Sequence, residues 1–403
     1  MAETGPLHIA YYAPQWPPST AAPNGITTAL YHTVSAMQAR GHSVTIVGGK
    51  SGKSVCGEHV VPAPVLEDGI FEKILWRILP PRRRQAWFMR RMGTAIGEAF
   101  ARVHEDHPID IIESEESFGL PSDIRRVTRL PVVARLHGPW REAVAAVHRE
   151  ESGEDRMRIA REDRAIEDAD GVTAPSAATL APYQESARRS RVLYNPIPPA
   201  KHLWHEEGCD PKTIVFVGRI DRRKGADVAM LAAQSLMRED QAVRMLLCGT
   251  EPGIEIDGRI YDYAGFLEAF IDKDLRQRFS FLGPKKPEEV TRLRRQGGVI
   301  LVSSRYENFP YIVAEALVQG CPVVASASFG IKELVAHEET GLLVAPGSVE
   351  ETVVALRRLL QDRVLAGSLA QKGRQRATKM LHPAGIAAQT EEFYRHVIEA
   401  EGR

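Results

Sequence analysis

The feature that most constrains the fold is a strand-loop-helix pattern at residues 298–320. Residues 298–302 form a short apolar and β-branched run, which predicts a buried strand of a parallel sheet. Apolar residues then recur at helical spacing from Ile312, and Gly320 follows them as a helix stop. The chain is therefore expected to leave a sheet, cross a short loop and enter a helix.

Two carboxylates belong to this pattern: Glu307 in the loop and Glu315 in the helix. Pro310 is expected in the first helical turn, where a missing amide costs least. In open α/β sheets, ligands bind beyond the carboxyl end of a strand and against a helix N-terminus, whose amides favour phosphate. Ionised carboxylates instead accept hydrogen bonds from hydroxyl groups. The combination indicates a ligand that carries phosphate and several hydroxyls, such as a sugar nucleotide.

The rest of the chain alternates strands and helices, which predicts the α/β class. The first strand is expected at residues 8–12, a helix at 26–40 and a second strand at 43–47, and this is a βαβ unit of a parallel sheet. A length of 403 residues predicts two domains. The proline-rich segment 194–199 suits a linker. We predict one domain at residues 1–195, a second at 200–382 and a final helix at 383–403.

A basic turn follows the first predicted strand of the second half. It runs from Gly218 to Gly225 and contains Arg219 and Lys224. Arginine offers a planar fork and lysine a compact charge, and both suit phosphate oxygens. The turn is a candidate diphosphate clamp, and a solvated basic turn is the alternative.

Residues 303–326, with the Glu307 and Glu315 pair, closely resemble the signature of retaining glycosyltransferases of family 4, also called glycosyl transferases group 1. The resemblance continues through Gly330 and residues 341–360, and it covers the N-terminal half more thinly. It implies the GT-B fold, in which two Rossmann-like, doubly wound parallel-sheet domains face each other across a cleft. In that family the final helix often crosses back to the N-terminal domain.

The resemblance also implies site residues. Arg219 and Lys224 match the family's diphosphate contacts, whereas Glu307 would hold sugar hydroxyls and Glu315 the ribose. Pro310 replaces a frequent glycine and removes one amide contact to the donor. The further residues assigned to the donor site are Gly25, Gly218, Gly283, Asn308, Phe309 and Tyr311.

Three segments of the N-terminal half are further candidates. Asn24 and Gly25 resemble the family's glycine-rich loop, although its usual double glycine is reduced here, and an ordinary loop is the alternative. His137 follows a predicted strand, and in similar enzymes a histidine there lies beside the reacting sugar carbon; a structural hydrogen bonder is the alternative. Glu115 and Glu116 also end a strand, and two roles stay open for them: lining the acceptor site or capping the next turn.

Composition argues against nucleic acid and metal as partners. The formal net charge is zero, so no overall field attracts nucleic acid. The four cysteines lack the paired spacing of a zinc site. The pairs Asp168/Asp170 and Asp272/Asp274 match a two-aspartate metal motif, but the first lies between a helix and a strand, and the second is expected inside a helix. We therefore expect no catalytic metal and no cofactor.

Residues 73–97 predict a surface contact. The window holds seven Lys or Arg residues and no Asp or Glu, interleaved with Trp76, Trp87 and Phe88. Such a surface suits peripheral binding to an anionic membrane; the alternative is that the aromatic side chains are core and the arginines solvated. The N-terminus lacks an export signal, and no apolar run approaches the roughly 20 residues of a membrane span. The expected location is cytoplasmic, with this possible membrane association.

The function expected from these features is retaining transfer of a hexosyl or N-acetylhexosaminyl group. The donor would be a UDP-, GDP- or ADP-linked sugar, and the acceptor a hydroxyl group of a glycan, glycolipid or metabolite. Two alternatives remain. A sugar-nucleotide epimerase or hydrolase would turn over the donor without an acceptor. A non-catalytic carbohydrate-binding protein would bind the donor and form no product.

Overall fold

The computed structural model describes residues 5–18, 25–49, 54–64, 66, 80–145 and 150–402. The chain divides into two compact units. The first unit comprises Met1–Pro196 together with Pro383–Arg403, and the second comprises Ile197–His382. Each unit is built on its own parallel sheet with helices packed against it.

The described part of the first unit contains a seven-stranded parallel sheet in the order β3-β2-β1-β4-β5-β6-β7. Its strands are β1 (His8–Ala13), β2 (Ser43–Gly48), β3 (His59–Val61), β4 (Ile111–Glu115), β5 (Val132–Arg135), β6 (Gly171–Ala174) and β7 (Ser190–Val192). The helices of this part are α1 (Gly25–Ala39), α2 (Pro81–Asp106), α3 (Leu120–Thr128), α4 (Trp140–Ala145), α5 (Gly153–Asp168) and α6 (Ala177–Leu180).

The second unit contains a six-stranded parallel sheet in the order β12-β9-β8-β13-β14-β15, and a separate antiparallel hairpin β10-β11. Its strands are β8 (Asp210–Val217), β9 (Arg244–Cys248), β10 (Ile254–Ile256), β11 (Arg259–Tyr261), β12 (Phe279–Phe281), β13 (Gly297–Val302), β14 (Val323–Ser326) and β15 (Leu342–Val344). Its helices are α7 (Ala226–Glu239), α8 (Tyr263–Phe270), α9 (Pro287–Gln296), α10 (Tyr311–Gln319), α11 (Ile331–Leu334), α12 (Val349–Gln361) and α13 (Arg363–Met380).

The last helix, α14 (Pro383–Ala400), packs within the first unit. Its side chains Phe393, Tyr394 and Val397 belong to the same buried cluster as Ile9 and Ile46 of the first sheet. Burying these apolar and aromatic side chains stabilises the helix where it lies.

Each sheet has one switch point, where the order of the strands reverses. In the first sheet, β2 and β4 lie on opposite sides of β1; in the second, β9 and β13 lie on opposite sides of β8. The loops after β1 and β4, and those after β8 and β13, therefore diverge and leave a crevice at the carboxyl ends of the strands. Ligands of open α/β sheets bind in such crevices.

The strand-loop-helix pattern at residues 298–320 forms as predicted. Every residue of β13 is buried, and α10 ends at Gly320, whose φ of 76° is the left-handed conformation of a helix C-cap. One detail is corrected: Pro310 does not lie in the first helical turn. It occupies the N-cap position with a ψ of 82°, so the helix begins one residue later at Tyr311.

Candidate active site

The basic turn after β8 is organised by Asp221. This side chain is buried, and its Oδ1 accepts a hydrogen bond of 2.8 Å from the Lys224 amide. Its Oδ2 accepts a bond of 2.7 Å from Arg219 Nε. One carboxylate therefore holds both ends of the turn, a role that the local sequence does not indicate.

Gly225 brings this turn against the loop that follows β13. Its φ is 70°, and a Cβ added there would lie 2.0 Å from the carbonyl oxygen of Ser303. The Ser303 hydroxyl in turn donates a hydrogen bond of 2.7 Å to the Gly225 carbonyl. Only glycine permits this approach, so the two loops on either side of the switch point are fixed to each other.

Lys224 and Glu307 meet across the switch point. Lys224 Nζ donates to Glu307 Oε1, and the Ser304 hydroxyl donates to the same oxygen at 2.9 Å. The side chains retain only 20% and 11% of their exposure. A cation suited to phosphate and a carboxylate suited to hydroxyls are thus in direct contact, at the place where an α/β sheet binds its ligand.

A second ion pair fixes the loop after β13 to the start of α7. Arg305 makes two parallel hydrogen bonds with Asp227, of 2.8 Å and 2.7 Å, and donates a third, of 2.6 Å, to the Arg222 carbonyl. Bidentate pairs of this kind define geometry as well as charge. The loop is therefore preorganised, because the Ser303 hydroxyl binds the Gly225 carbonyl and the Arg305 amide donates a bond of 2.8 Å to the Arg223 carbonyl.

The aromatic residues predicted in the donor site are packed side chains. Phe309 is buried and lies edge-on to Tyr311, with their ring centroids 5.0 Å apart. Tyr306 contacts Phe329 in the same way and donates its hydroxyl to Asn308. Phe309 therefore offers a ligand its backbone and little of its side chain.

Glu315 is paired with a cation from the neighbouring helix α9. Its Oε2 lies 2.7 Å from Arg294 Nη1, and Arg294 Nε donates to Gln319 at 2.9 Å. Arg294 is 5% exposed, whereas Glu315 keeps 35% of its exposure. A buried arginine therefore orients Glu315, while the carboxylate stays accessible to a ligand.

Two predicted glycines flank this arrangement. The Gly218 amide donates to the Cys248 carbonyl at the end of β9. The Gly283 carbonyl, just after β12, accepts a bond of 3.1 Å from the Gly249 amide. Both glycines lie at the carboxyl end of the second sheet, on the same edge as the Lys224 and Glu307 pair.

In the first unit, Glu116 holds the loop that contains His137. It is 1% exposed, and its two oxygens accept bonds of 3.0 Å and 2.9 Å from the amides of His137 and Gly138. Burial and the nearby Glu162 raise the pKa of Glu116 to about 8, while the amides act in the opposite direction. The Glu116 side chain therefore holds a loop that follows another strand, β5, and not the turn that comes next in the chain.

His137 and Glu115 line a pocket at the switch point of the first sheet, together with Tyr12, Thr27 and Arg135. Burial and the charge of Arg135 lower the pKa of His137 to about 3, so its imidazole is neutral near pH 7. Burial raises the pKa of Glu115 to about 7. Gly25 is the first residue of α1 and is exposed. The predicted acceptor-side residue Asn24 lies outside the described residues.

A buried polar network underlies this pocket. Tyr394 of α14 donates a hydrogen bond of 2.8 Å to Glu113, whose pKa is raised by burial and lowered in part by the nearby Arg135. Arg135 donates to the Leu193 carbonyl at 2.8 Å and to Asn195 at 2.7 Å. The network fixes the ends of β4 and β5, and its members are too far apart in sequence to have been predicted.

The described part of the chain contains no group of three or more His, Cys, Asp or Glu residues that could hold a metal ion. The two aspartate pairs singled out in the sequence have other partners: Asp170 binds Arg125 at 2.7 Å and Asp272 binds Arg238 at 2.7 Å. The prediction that Asp272 lies inside a helix is wrong. It follows the end of α8 and belongs to a non-helical segment before the short turn at residues 273–275.

Comparisons with known proteins agree with this architecture. The family profile described as "Glycosyl transferases group 1" matches residues 204–378, and the profile described as "Glycosyltransferase Family 4" matches residues 23–201. The chain belongs to the family 4, group 1 glycosyltransferases.

Three known proteins show how far the similarity to individual proteins extends. The D-inositol 3-phosphate glycosyltransferase of Corynebacterium aurimucosum is 31% identical over 192 residues, which are 47% of this chain and 44% of that protein. The chain thus spans less than half the length of that curated relative. Sucrose-phosphate synthase from Thermosynechococcus elongatus has a similar structure, with a TM-score of 0.74, 22% identity and coverage of 98% of this chain and 100% of that one. Anabaena Alr3699/HepE in complex with UDP and glucose gives a TM-score of 0.65, 17% identity and coverage of 97% and 100%.

These likenesses establish the fold of the glycosyltransferase. Both sheets are parallel and flanked by helices, as in the two Rossmann-like domains of the GT-B fold. Within the described residues, no helix combines the length and the apolar character that crossing a bilayer requires. Of the basic and aromatic window at 73–97, residues 73–79 lie outside the described residues, and the remainder begins α2 with Phe88 43% exposed.

We expect the stability of the first unit to depend on pH through Glu115, which lines its pocket. Because folding raises the pKa of Glu115 from 4.5 to about 7, the folded protein binds more protons than the unfolded chain between these values. The stability due to this group is complete below pH 4.5 and is lost as the pH rises through 7. Relative to Glu115→Gln, the wild type should lose about 1–3 kcal/mol of unfolding free energy between pH 5 and pH 8. Urea unfolding of both proteins at the two pH values measures this. If the difference in unfolding free energy between wild type and Glu115→Gln is the same at both pH values, the pKa of Glu115 is not raised.

Proposed function

We propose that this glycosyltransferase transfers a hexosyl or N-acetylhexosaminyl group from a nucleoside diphosphate sugar to a hydroxyl acceptor, with retention of the anomeric configuration. The observation that carries the proposal is the contact between Lys224 and Glu307 at the switch point of the second sheet. It joins the two chemistries that a sugar nucleotide needs, a cation for the diphosphate and a carboxylate for sugar hydroxyls.

The reaction would begin with departure of the nucleoside diphosphate. Negative charge then grows on the leaving phosphate, while the sugar approaches an oxocarbenium ion and is attacked from the same face. Arg219, Lys224 and the N-terminus of α10 would stabilise the leaving charge, and fixed groups of this kind supply a large share of catalysis. Asp221 and Gly225 support this role because they hold the turn in place before any ligand arrives.

The Lys224 and Glu307 contact gives donor binding a further step. The diphosphate must share Lys224 with Glu307 or take it over. Once Lys224 turns to phosphate, Glu307 is available to accept hydrogen bonds from the sugar. Donor binding would therefore make both side chains available to the donor at the same time, Lys224 to the diphosphate and Glu307 to the sugar. Glu315, oriented by the buried Arg294, would accept hydrogen bonds from the ribose.

We assign the acceptor to the pocket of the first unit. Glu115 can accept a hydrogen bond from an acceptor hydroxyl, and the neutral imidazole of His137 can donate or accept one. The name of the Corynebacterium relative contains a phosphorylated polyol, and a hydroxyl acceptor of this class is consistent with the pocket.

A donor screen tests the proposal. Thermal-shift assays with UDP-, GDP- and ADP-sugars should identify a stabilising nucleotide, and UDP-glucose comes first because Anabaena Alr3699/HepE has been solved with it. Transfer of labelled sugar to candidate acceptors should then proceed in excess EDTA, since the proposed site uses no metal. Loss of transfer in EDTA with recovery on adding magnesium or manganese would overturn metal independence.

The same screen discriminates the rival functions. Donor turnover that is identical with and without acceptor would indicate an epimerase or a hydrolase. Donor binding without any product would indicate a carbohydrate-binding protein. We further infer a cytoplasmic enzyme, with the described start of α2 as its contact to an anionic surface.

A further inference from the structure

A second charged feature lies away from both switch points, in a groove between α2, α3 and α5 of the first unit. We call it the arginine groove. Five arginines and two aspartates line it, which leaves a surplus of three positive charges among the charged residues of the groove: Arg90, Arg125, Arg126, Arg161, Arg164, Asp123 and Asp168.

Two glycines of α2 bring its helix axis close to α3. A Cβ added at Gly93 would lie 2.6 Å from Asp123 Oδ2, and one added at Gly97 would lie 2.8 Å from Val127 Cβ. The two helices can approach this closely only because these positions lack side chains. Arg90, one turn before Gly93, is thereby placed at the edge of the groove.

The acidic side chains neutralise only part of this charge. The buried Asp123 binds Arg161 at 2.8 Å and reaches Arg126 at 3.4 Å, so it is shared between two cations. Arg125 is paired with Asp170 at 2.7 Å and lies 3.6 Å from Glu401, so two acids outside the groove neutralise it. The surplus charge of the groove therefore comes from the other arginines.

Three guanidinium groups keep spare donors. Arg90 has no hydrogen-bond or ion-pair partner among the residues that the structure describes. Arg164 is 78% exposed, and its distance of 3.6 Å to Asp168 is longer than a hydrogen bond. Arg126 is 58% exposed. Guanidinium groups with free donors bind phosphate oxygens in a planar, bidentate manner.

We propose that the arginine groove binds an anion that carries two or more phosphate groups, either free in solution or as the head group of a lipid. Several separated guanidinium groups favour several phosphates over one. The exposed Phe88 and the Trp87 ring, over which Arg91 lies at 5.3 Å, are on the helical turn next to Arg90. The site is independent of sugar transfer, because none of its residues belongs to the candidate active site.

The first arm of the test uses a soluble probe, inositol hexakisphosphate. Its binding is measured by calorimetry at low and at high salt. The double variant Arg90→Ala/Arg164→Ala should weaken binding by about 10- to 100-fold, since each arginine contributes charged hydrogen bonds. The matched control is Arg102→Ala/Lys372→Ala, which removes two exposed positive charges outside the groove. It should bind like the wild type. Arg90 and Arg164 have weak partners or none, so the groove variant should stay folded, and circular dichroism checks this.

The second arm identifies the source of the anion. The same proteins are sedimented with vesicles of phosphatidylcholine alone and with cardiolipin added, because the cardiolipin head group carries two phosphates. Binding to anionic vesicles that the groove variant loses and the control keeps assigns the phosphates to lipid; binding of the soluble probe alone assigns them to a free metabolite. The proposal is overturned if neither probe binds, if both double variants lose binding alike, or if Lys224→Ala abolishes binding of the soluble probe, because the probe would then occupy the donor site.

Discussion

Lys224→Ala should lower the turnover of sugar transfer by about 10- to 100-fold, and Glu307→Ala by a similar factor, because each removes a charged side chain that we propose to hydrogen-bond to the reacting donor. The double variant should lose far less than the product of the two factors. The two side chains contact each other, so either single change already disrupts the partner. Steady-state kinetics of the wild type, the two single variants and the double variant measures this double-mutant cycle.

Binding of the free nucleoside diphosphate separates the two roles. Lys224→Ala should weaken it, since a phosphate contact is lost. Glu307→Ala should leave the affinity unchanged or raise it, because Lys224 no longer has a protein partner to give up. The pair Arg357 and Glu239, which is exposed on the second unit, provides the matched control. Removing either of its members should change diphosphate binding by less than about twofold, because the pair shares no partner with Lys224 or Glu307. Fully multiplicative losses in the double variant, or wild-type diphosphate binding by Lys224→Ala, would contradict the site.

Gly225→Ala should destabilise the second unit by about 2–4 kcal/mol. The new methyl group would overlap the Ser303 carbonyl, 2.0 Å away, and a φ of 70° is strained for alanine. For a unit of this size the expected fall in Tm is on the order of 5–15 °C. Donor affinity should fall as well, since the same contact holds Lys224 beside Glu307.

Gly367→Ala is the control for this prediction. Gly367 lies within α13, and an added Cβ would meet no atom within 4 Å. Alanine is the better helix former, so this variant should be as stable as the wild type or more stable by about 0.5–1 kcal/mol. Differential scanning calorimetry compares the two variants. Equal Tm values for Gly225→Ala and the wild type would show that the turn relaxes, and the account of the site would fail.

Much of the fold could be predicted because local signals agree with the tertiary structure. Strand β13 is apolar over its whole length and buried on both faces, and Gly320 ends the following helix as its sequence position indicates. Helix α2 was not predicted. Its N-cap, Pro80, makes no side-chain cap, and its basic start attracted a surface interpretation. The spacing of the buried Met89, Ile96, Phe100 and Val103 was the signal for a helix.

The site was harder to predict, because its groups are paired with residues distant in sequence. The bond between Lys224 and Glu307 spans 83 positions, and that between Arg305 and Asp227 spans 78. Nothing in the local pattern around Glu315 indicates that Arg294 binds it. Asp221 is close in sequence to its partner Arg219, which it follows by two residues. It was still missed, because the sequence does not distinguish a buried acid in a basic turn from a solvated one.

The chain passes from the first unit to the second near Pro196 and returns near Pro383. For recombination, the second unit is therefore an insertion with two junctions. A chimera made with one crossover in the proline-rich linker would also exchange α14. A foreign residue would then replace Tyr394, the donor of the hydrogen bond to Glu113 beneath the pocket to which we assign the acceptor. To exchange the second unit, with its proposed donor site, and leave the first unit intact, a graft must therefore be cut at both junctions.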